Sequence, residues 1–253
     1  MNRSSLNVLF DQLHLIGMKE HLPAILSDVD VATSDILVTK LCKLLEIEVQ
    51  YKKSRSVSYR LKKARFPTVK LLSDTKQAAL LDKVDITQVI NSHENIMFIG
   101  GSGSAKTHLA IGLAFIALGK DFRVKFYTLS DLASELLSAH NHNHEIQYIR
   151  SLQRFHLLVI DELGYVPIKP VARPLLFDLF SKLHEKTSII ITTHLQFEEW
   201  GDMFGTAKAT KAIIDRLTHY CHIIETGNSS FRVSEVKTLG VEIQYNTHKK
   251  CEI

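Results

Sequence analysis

The sequence predicts an α/β fold: a parallel five-stranded sheet preceded by a small all-helical N-terminal domain. Three observations carry that expectation. Up to about residue 70 the apolar residues recur at helical spacing, from Ile96 short apolar runs alternate with helical segments, and a glycine-rich stretch closes the first of those runs. Strands that alternate with helices pair in parallel, and the helices cover both faces of the sheet.

In the N-terminal part, Ser34 reads as an N-cap. It is followed by Ile36, Leu37, Leu41, Leu44, Leu45, Ile47 and Val49, a helical rather than an alternating spacing. The helix then turns basic. Lys52, Lys53, Arg55, Arg60, Lys62, Lys63, Arg65 and Lys70 contribute +8 with no acid among them, against a net +4 for all 253 residues. The positive charge therefore belongs to one segment, and the rest of the chain is acidic. Pro67 closes the helix, because the residue before a proline is pushed out of the α region. Tyr51, Tyr59 and Phe66 interleave with the cations. Clustered lysine and arginine supply the sequence-independent part of DNA affinity by neutralising phosphates, and aromatic rings add packing or stacking. Lys52, Lys53, Arg55, Arg60, Lys62, Lys63 and Arg65 are thus the candidate DNA-binding residues; the competing reading is a solvated helix face.

A DNA-binding domain over residues 1–70 and a second domain over 71–253 follow, joined by a connecting helical stretch to about residue 95. The expected strands are Ile96–Ile99, Val124–Tyr127, Leu157–Ile160, Ser188–Thr192 and His222–Glu225. A chain of 253 residues carries one large domain, or one of medium size with an appendage. The longest apolar stretch, Leu109 to Leu118, is too short to span a bilayer and reads as a buried helix. The N-terminus shows no secretory pattern, so a cytoplasmic location and no membrane partner are expected. Cys42, Cys221 and Cys251 are odd in number and far apart, which argues against a disulfide framework or a cysteine zinc site. His140, His142 and His144 alternate in a polar stretch with no cysteine or acid cage nearby, a weak metal signal.

The glycine-rich stretch is Gly100-Gly101-Ser102-Gly103-Ser104-Ala105-Lys106-Thr107, between the run Ile96–Ile99 and Leu109-Ala110-Ile111. Strand, glycine-rich loop and helix in that order make a phosphate-binding P-loop. Small residues let backbone N–H groups approach phosphate oxygens, the Lys106 ammonium reaches the β and γ phosphates, and the Thr107 hydroxyl ligates Mg²⁺. The pattern calls for glycine before the lysine, and this chain has Ala105. If that position needs positive φ, the added Cβ costs ~1–2 kcal/mol, and each ~1.4 kcal/mol weakens binding tenfold. Downstream, Leu157-Leu158-Val159-Ile160 reads as a strand buried on both faces, with Asp161 and Glu162 at its carboxyl end, where open α/β sheets place ligands. Asp161 is positioned to hold the metal through water, and Glu162 to orient or deprotonate the attacking water.

Gly100–Thr107 with His108-Leu109-Ala110, Val159-Ile160-Asp161-Glu162-Leu163-Gly164-Tyr165, Glu199-Trp200-Gly201 and Asp215-Arg216-Leu217 together resemble the IstB-like transposition helper ATPases. These are AAA+ proteins close to the DnaC helicase loaders. Leu15-Ile16-Gly17-Met18 and Arg60–Pro67 resemble the helical N-terminal domain of that family, so the resemblance spans nearly the whole chain. It implies an AAA+ P-loop NTPase that uses ATP and Mg²⁺, assembles as an ATP-dependent oligomer on duplex DNA, and recruits and stimulates a transposase. It also implies a small or missing lid. Lys106 and Thr107 would bind phosphate and metal, Asp161 would support the metal, and Glu162 would be the catalytic base. Arg216 fits the place of an arginine finger that reaches the γ-phosphate of a neighbouring subunit. The family carries a polar sensor, usually asparagine, where Ile191-Thr192-Thr193-His194 ends its strand; here that place is His194. Two other readings stand beside this one. One is a nucleotide-responsive DNA-binding scaffold that hydrolyses little, suggested by Ala105 and His194. The other is a DnaC-type helicase loader, which the resemblance at Leu15–Met18 and Arg60–Pro67 argues against.

Overall fold

Leu6, Phe10 and Leu13 recur at i, i+4 and i+7, so they share one face of α1 (Arg3–Leu13). Val38, Cys42 and Leu45 repeat that spacing on α3 (Val31–Ala64) and, with Leu26 of α2 (Ile16–Ser27), close a buried apolar cluster. The computed structural model describes residues 3–27, 30–201 and 203–227, and internal contacts divide the chain into two compact units, Met1–Arg60 and Leu61–Ile253. The region expected to carry a reduced or absent lid, and Cys251, lie outside the described residues.

Two local expectations are corrected. Ser34 is not the N-cap of α3: the Asp30 carboxylate accepts from the Thr33 N–H at 2.9 Å and from its hydroxyl at 2.6 Å, and Ser34 is buried inside the first turn. The stretch after residue 70 is not a regular helix but two 3₁₀ turns, Leu72–Asp74 and Lys76–Leu81, before a short α4 (Ile86–Asn91). Thr75 and Asp85 each accept a backbone N–H two residues on, which restarts the chain at both points. The basic helix ends at Ala64, with Arg65 in the left-handed region at φ 59° ahead of Pro67.

The sheet is as expected: β2 (Val124–Thr128), β3 (Leu157–Leu163), β4 (Ser188–Thr193), β1 (Asn95–Ile99) and β5 (Cys221–Glu225) lie in that order, all parallel. β3 runs three residues beyond its expected end. β1 is buried along its whole length between β4 and β5, which is why it reads as an unbroken apolar run. Met97, Ile99, Leu158, Ile160, Ile189 and Ile191 face a core built with α6 (Leu129–Asn141), α7 (Glu145–Leu152), α8 (Arg173–Leu183) and α9 (Ala207–Thr218). The alternate residues Ile96, Phe98, Val159 and Ile190 are buried on the other face, and α5 (Lys106–Gly119) packs against β1, β2, β3 and β4. Among the described residues no helix is long and apolar enough to cross a membrane. Cys42 and Cys221 are free thiols, and burial pushes the Cys221 thiol up to about 12.

Candidate functional site

The carboxyl ends of β1, β3 and β4 converge on the start of α5, and the sheet order makes them neighbours. Gly103, at φ 80°, and Ala105, at φ 65° and ψ 14°, turn the loop Gly100–Ala105 through the left-handed region twice before α5 begins. Ala105 therefore does occupy the conformation that disfavours a Cβ. We expect Ala105→Gly to tighten ATP binding by up to roughly tenfold; titration with a fluorescent analogue checks it, and equal affinity would show that the loop carries the Cβ without cost. The first backbone N–H groups of α5 have no helical acceptor and present partial positive charge to an anion.

Lys106 folds back over this loop. Its ammonium donates to the carbonyls of Gly100 at 2.7 Å and Gly101 at 2.6 Å, and to Ser104 Oγ at 3.4 Å. Burial lowers its pKa and the nearby Asp161 charge opposes that shift. A half-buried ammonium hydrogen-bonded to neutral acceptors gains from an incoming phosphate, so the residues present fit a polyphosphate.

Asp161 is buried near the carboxyl end of β3. Its Oδ1 accepts from the Thr107 hydroxyl at 2.9 Å and from the Thr192 hydroxyl of β4. The Thr192 oxygen in turn accepts from the Glu162 N–H at 3.0 Å. The β3–β4 register slips here: Ile160 pairs with Ile191, and the next pair is Leu163 with Thr193. Thr192 thus faces both acids across a β-bulge, a device that re-aims side chains beside functional sites. Glu162 sits at φ 62° with its side chain exposed, while Asp161 points inward. Gly164, at φ 90°, completes the turn, since an added Cβ would run into Leu195. A hydroxyl and a carboxylate side by side are hard oxygen donors suited to Mg²⁺ with phosphate oxygens and water completing its shell.

An open cleft of about 690 Å³ adjoins the two acids, with Thr107, Asp161 and Glu162 on one side and Arg65, Lys70 and Glu135 on the other. Arg65 donates to Glu135 at 2.7 Å, and the Tyr127 and Tyr148 hydroxyls donate to the second oxygen of Glu135 at 3.2 and 3.0 Å. Burial raises the Glu135 carboxyl, but the bonds from Arg65 and Tyr148 outweigh it and leave the group below its usual range. Lys125 of β2 donates to the Lys63 carbonyl at 3.0 Å, and burial, helped by the Arg65 charge, lowers its pKa to about 8.

The structure thus brings together Gly100–Thr107, Asp161 and Glu162, and adds Thr192, two residues before the expected His194. His194 does not join them: it lies one residue past β4, exposed, with its ring edge-on to Tyr165 at 5.8 Å. Arg216 is half-buried on α9, bonded to the Ala212 carbonyl at 2.8 Å and lying 5.3 Å over the Phe177 ring. Trp200 of the Glu-Trp-Gly element is a core residue between Phe197 and Phe204, and Glu199 caps the turn by accepting the Gln196 N–H at 2.6 Å. Of the basic residues, Lys52, Lys53, Arg55, Lys62, Lys63 and Arg65 are exposed and Arg60 is half-buried. Lys52 pairs with Glu48 at 3.9 Å, Arg55 lies over the Tyr51 ring, and Arg60 donates to Ser56. His140, His142 and His144 fall at the end of α6 and the start of α7, and no cluster of three or more metal-binding side chains occurs among the described residues.

Against known proteins, the family described as IstB-like ATP binding protein matches residues 9–238. The chain is 31% identical over 244 residues to a protein of insertion sequence IS21 from Pseudomonas aeruginosa named for ATP binding, covering 93% of this chain and 91% of that one. The DnaC helicase loader superposes with a TM-score of 0.50 at 19% identity, covering 61% of this chain and 95% of its own. A DnaA replication initiator bound to AMPPCP and single-stranded DNA gives 0.52 at 15% identity, covering 71% and 57%. At such identities these structures bear on the fold alone, which is the AAA+ P-loop fold.

Proposed function

We propose, from the premise that this chain belongs to the IstB-like ATP binding protein family, that it hydrolyses ATP and uses the nucleotide to assemble on duplex DNA and engage a transposase. The observation that carries the catalytic half is the connected cluster of Thr107, Asp161, Thr192 and Glu162 beside the phosphate loop. Lys106 exchanges its loop carbonyls for phosphate oxygens when ATP enters. Thr107 and Asp161 hold Mg²⁺, which neutralises charge on the phosphates when bound. Glu162 orients and deprotonates the attacking water, with its backbone fixed by Thr192. Arg216, which lies on its own helix in the single chain, serves the nucleotide of a neighbouring copy. The location is the cytoplasm, where free thiols are kept reduced.

Phosphate release measured with and without duplex DNA tests this reading. Turnover that rises with DNA is expected; ATP binding with no phosphate release under either condition would replace it with the nucleotide-responsive scaffold. Capture of a hexameric helicase rather than a transposase would replace it with the loader.

The DNA half rests on the cations of the basic run, Lys52, Lys53 and Arg55 in the first unit and Lys62 and Lys63 in the second, all exposed. Arg65 is committed to Glu135 and is a poorer phosphate ligand than the sequence suggested. Changing Lys53, Arg55 and Lys62 together to glutamine is expected to weaken duplex binding for unrelated sequences alike. The slope of log affinity against log salt should fall by ~0.9 for each phosphate that is no longer neutralised. An unchanged slope would identify the segment as a solvated helix face.

A further inference from the structure

The segment after β5 grips the phosphate loop. Thr226 and Ser104 are both buried, and their hydroxyls lie 2.6 Å apart. Thr226 Oγ1 also donates to the Ile99 carbonyl at 3.3 Å, so it accepts from Ser104, which in turn accepts from Lys106 at 3.4 Å. One directed chain of hydrogen bonds therefore runs from the Lys106 ammonium through two hydroxyls to the end of β1. The backbone adds to the grip: the Thr226 N–H donates to Ile99 at 2.9 Å, and the Gly101 N–H donates to the Gly227 carbonyl at 3.1 Å. Gly100 packs so closely here that an added Cβ would meet both Thr226 and Gly227. Gln77 holds the clasp from behind, donating to the Thr226 carbonyl at 3.2 Å.

Ser104 immediately precedes Ala105, the residue held at φ 65°. A left-handed alanine persists only where its surroundings over-determine the conformation. The clasp supplies that determination on one side, and the start of α5 supplies it on the other. We propose that Thr226 is a positioning residue of the nucleotide site: its hydroxyl, acting through Ser104, holds the phosphate loop in the turn that Ala105 makes costly. The inference rests on the reading of this loop as an ATP site, and it assigns a binding role to a residue outside every motif read from the sequence. Valine at 226 would keep the shape and the branch but leave the Ser104 hydroxyl without its acceptor. The loop would then sample other turns before ATP arrives, and binding would carry the cost of reordering it.

The test uses the full chain and a fluorescent ATP analogue. Thr226→Val is expected to weaken binding by roughly fivefold to tenfold, the span of one hydrogen bond. Thr226→Ser, which keeps the hydroxyl, should stay within about twofold. In the Ala105→Gly background the loss caused by Thr226→Val should shrink to about twofold or less, because glycine removes the cost that the clasp offsets. Thr226→Val that binds like the wild type overturns the inference, as does an equal loss in the alanine and glycine backgrounds. If Thr226→Val does not fold by circular dichroism, Ser104→Ala decides from the other end of the bond, and wild-type affinity there overturns the inference. A wild-type chain that binds no analogue overturns the nucleotide reading together with this one. Wild-type binding that the substitutions leave intact overturns this one alone.

Discussion

Replacing Glu162 by glutamine is expected to lower ATP turnover by roughly 10²–10⁴, the usual contribution of a positioned general base, while ATP affinity stays near the wild-type value. The split follows from the geometry. Glu162 occupies the outer position of the bulge, with its side chain exposed beside the open cleft and its N–H held by Thr192. The groups assigned to phosphate and metal, Lys106, Thr107 and Asp161, lie on the inner side and are untouched by the change. Glutamine keeps the shape and the φ preference but cannot take a proton. Phosphate release and analogue binding, measured on the same preparation, check both halves. A turnover loss of less than about tenfold would move the base to another residue of the cleft.

The second large effect is expected at Arg216. Its guanidinium lies along α9 and over Phe177 in the single chain, so within one copy it has no part in the Asp161 cluster. An arginine given to a neighbouring copy must leave that resting place, and Phe177 is a neutral surface that releases it without breaking an ion pair. Arg216→Ala should leave analogue binding by the dilute chain intact and lower turnover by about 10³–10⁵, the range for arginine fingers of other NTPases. Mixing Arg216→Ala with Glu162→Gln should restore part of the turnover, since one copy supplies the arginine and the other an intact Glu162. Co-assembly without any recovery over a range of ratios would make Arg216 a residue of its own subunit.

How far the site could be read in advance depended on whether its parts were contiguous. Gly100–Thr107 was legible because phosphate binding asks for fixed residue types in an unbroken run, and Asp161 because an acid closing a buried apolar run stands downstream of such a loop, where alone it would read as a turn or cap. β1, β3 and β4 were legible because they lie inside the sheet, buried on both faces, and so leave apolar runs, while β5 at the edge shows only a short Ile223-Ile224 pair. What escaped depends on pairings between distant residues. The place of Thr192 arises from the slip between β3 and β4, which no run of residues encodes; the sequence points instead to His194, two positions later. Thr226 meets Ser104 across 122 residues, and Arg65 meets Glu135 across 70. Charge counting could only treat Arg65 as one cation among eight. The misplaced cap at Ser34 has a local cause: Asp30 lies one helical turn earlier, so spacing allows both, and the burial of Ser34 decides between them.

The anchoring of Lys63, Arg65 and Phe66 bears on where the nucleotide-binding part can begin as an independent polypeptide. β2 is an outer strand of the sheet, and the rim it exposes is covered by this short segment: the Lys63 carbonyl takes the Lys125 ammonium, Arg65 takes Glu135, and the Phe66 ring meets Phe126 edge-on at 6.3 Å. A polypeptide starting at residue 71 would lack all three at once. It would leave the buried Lys125 without its carbonyl acceptor and Glu135 with only the Tyr127 and Tyr148 hydroxyls, and would uncover the outer strand beside them. One starting at Leu61, where the second unit itself starts, keeps the cover. The last turn of the basic helix is therefore a wall of the nucleotide-binding part before it is a handle for anything else.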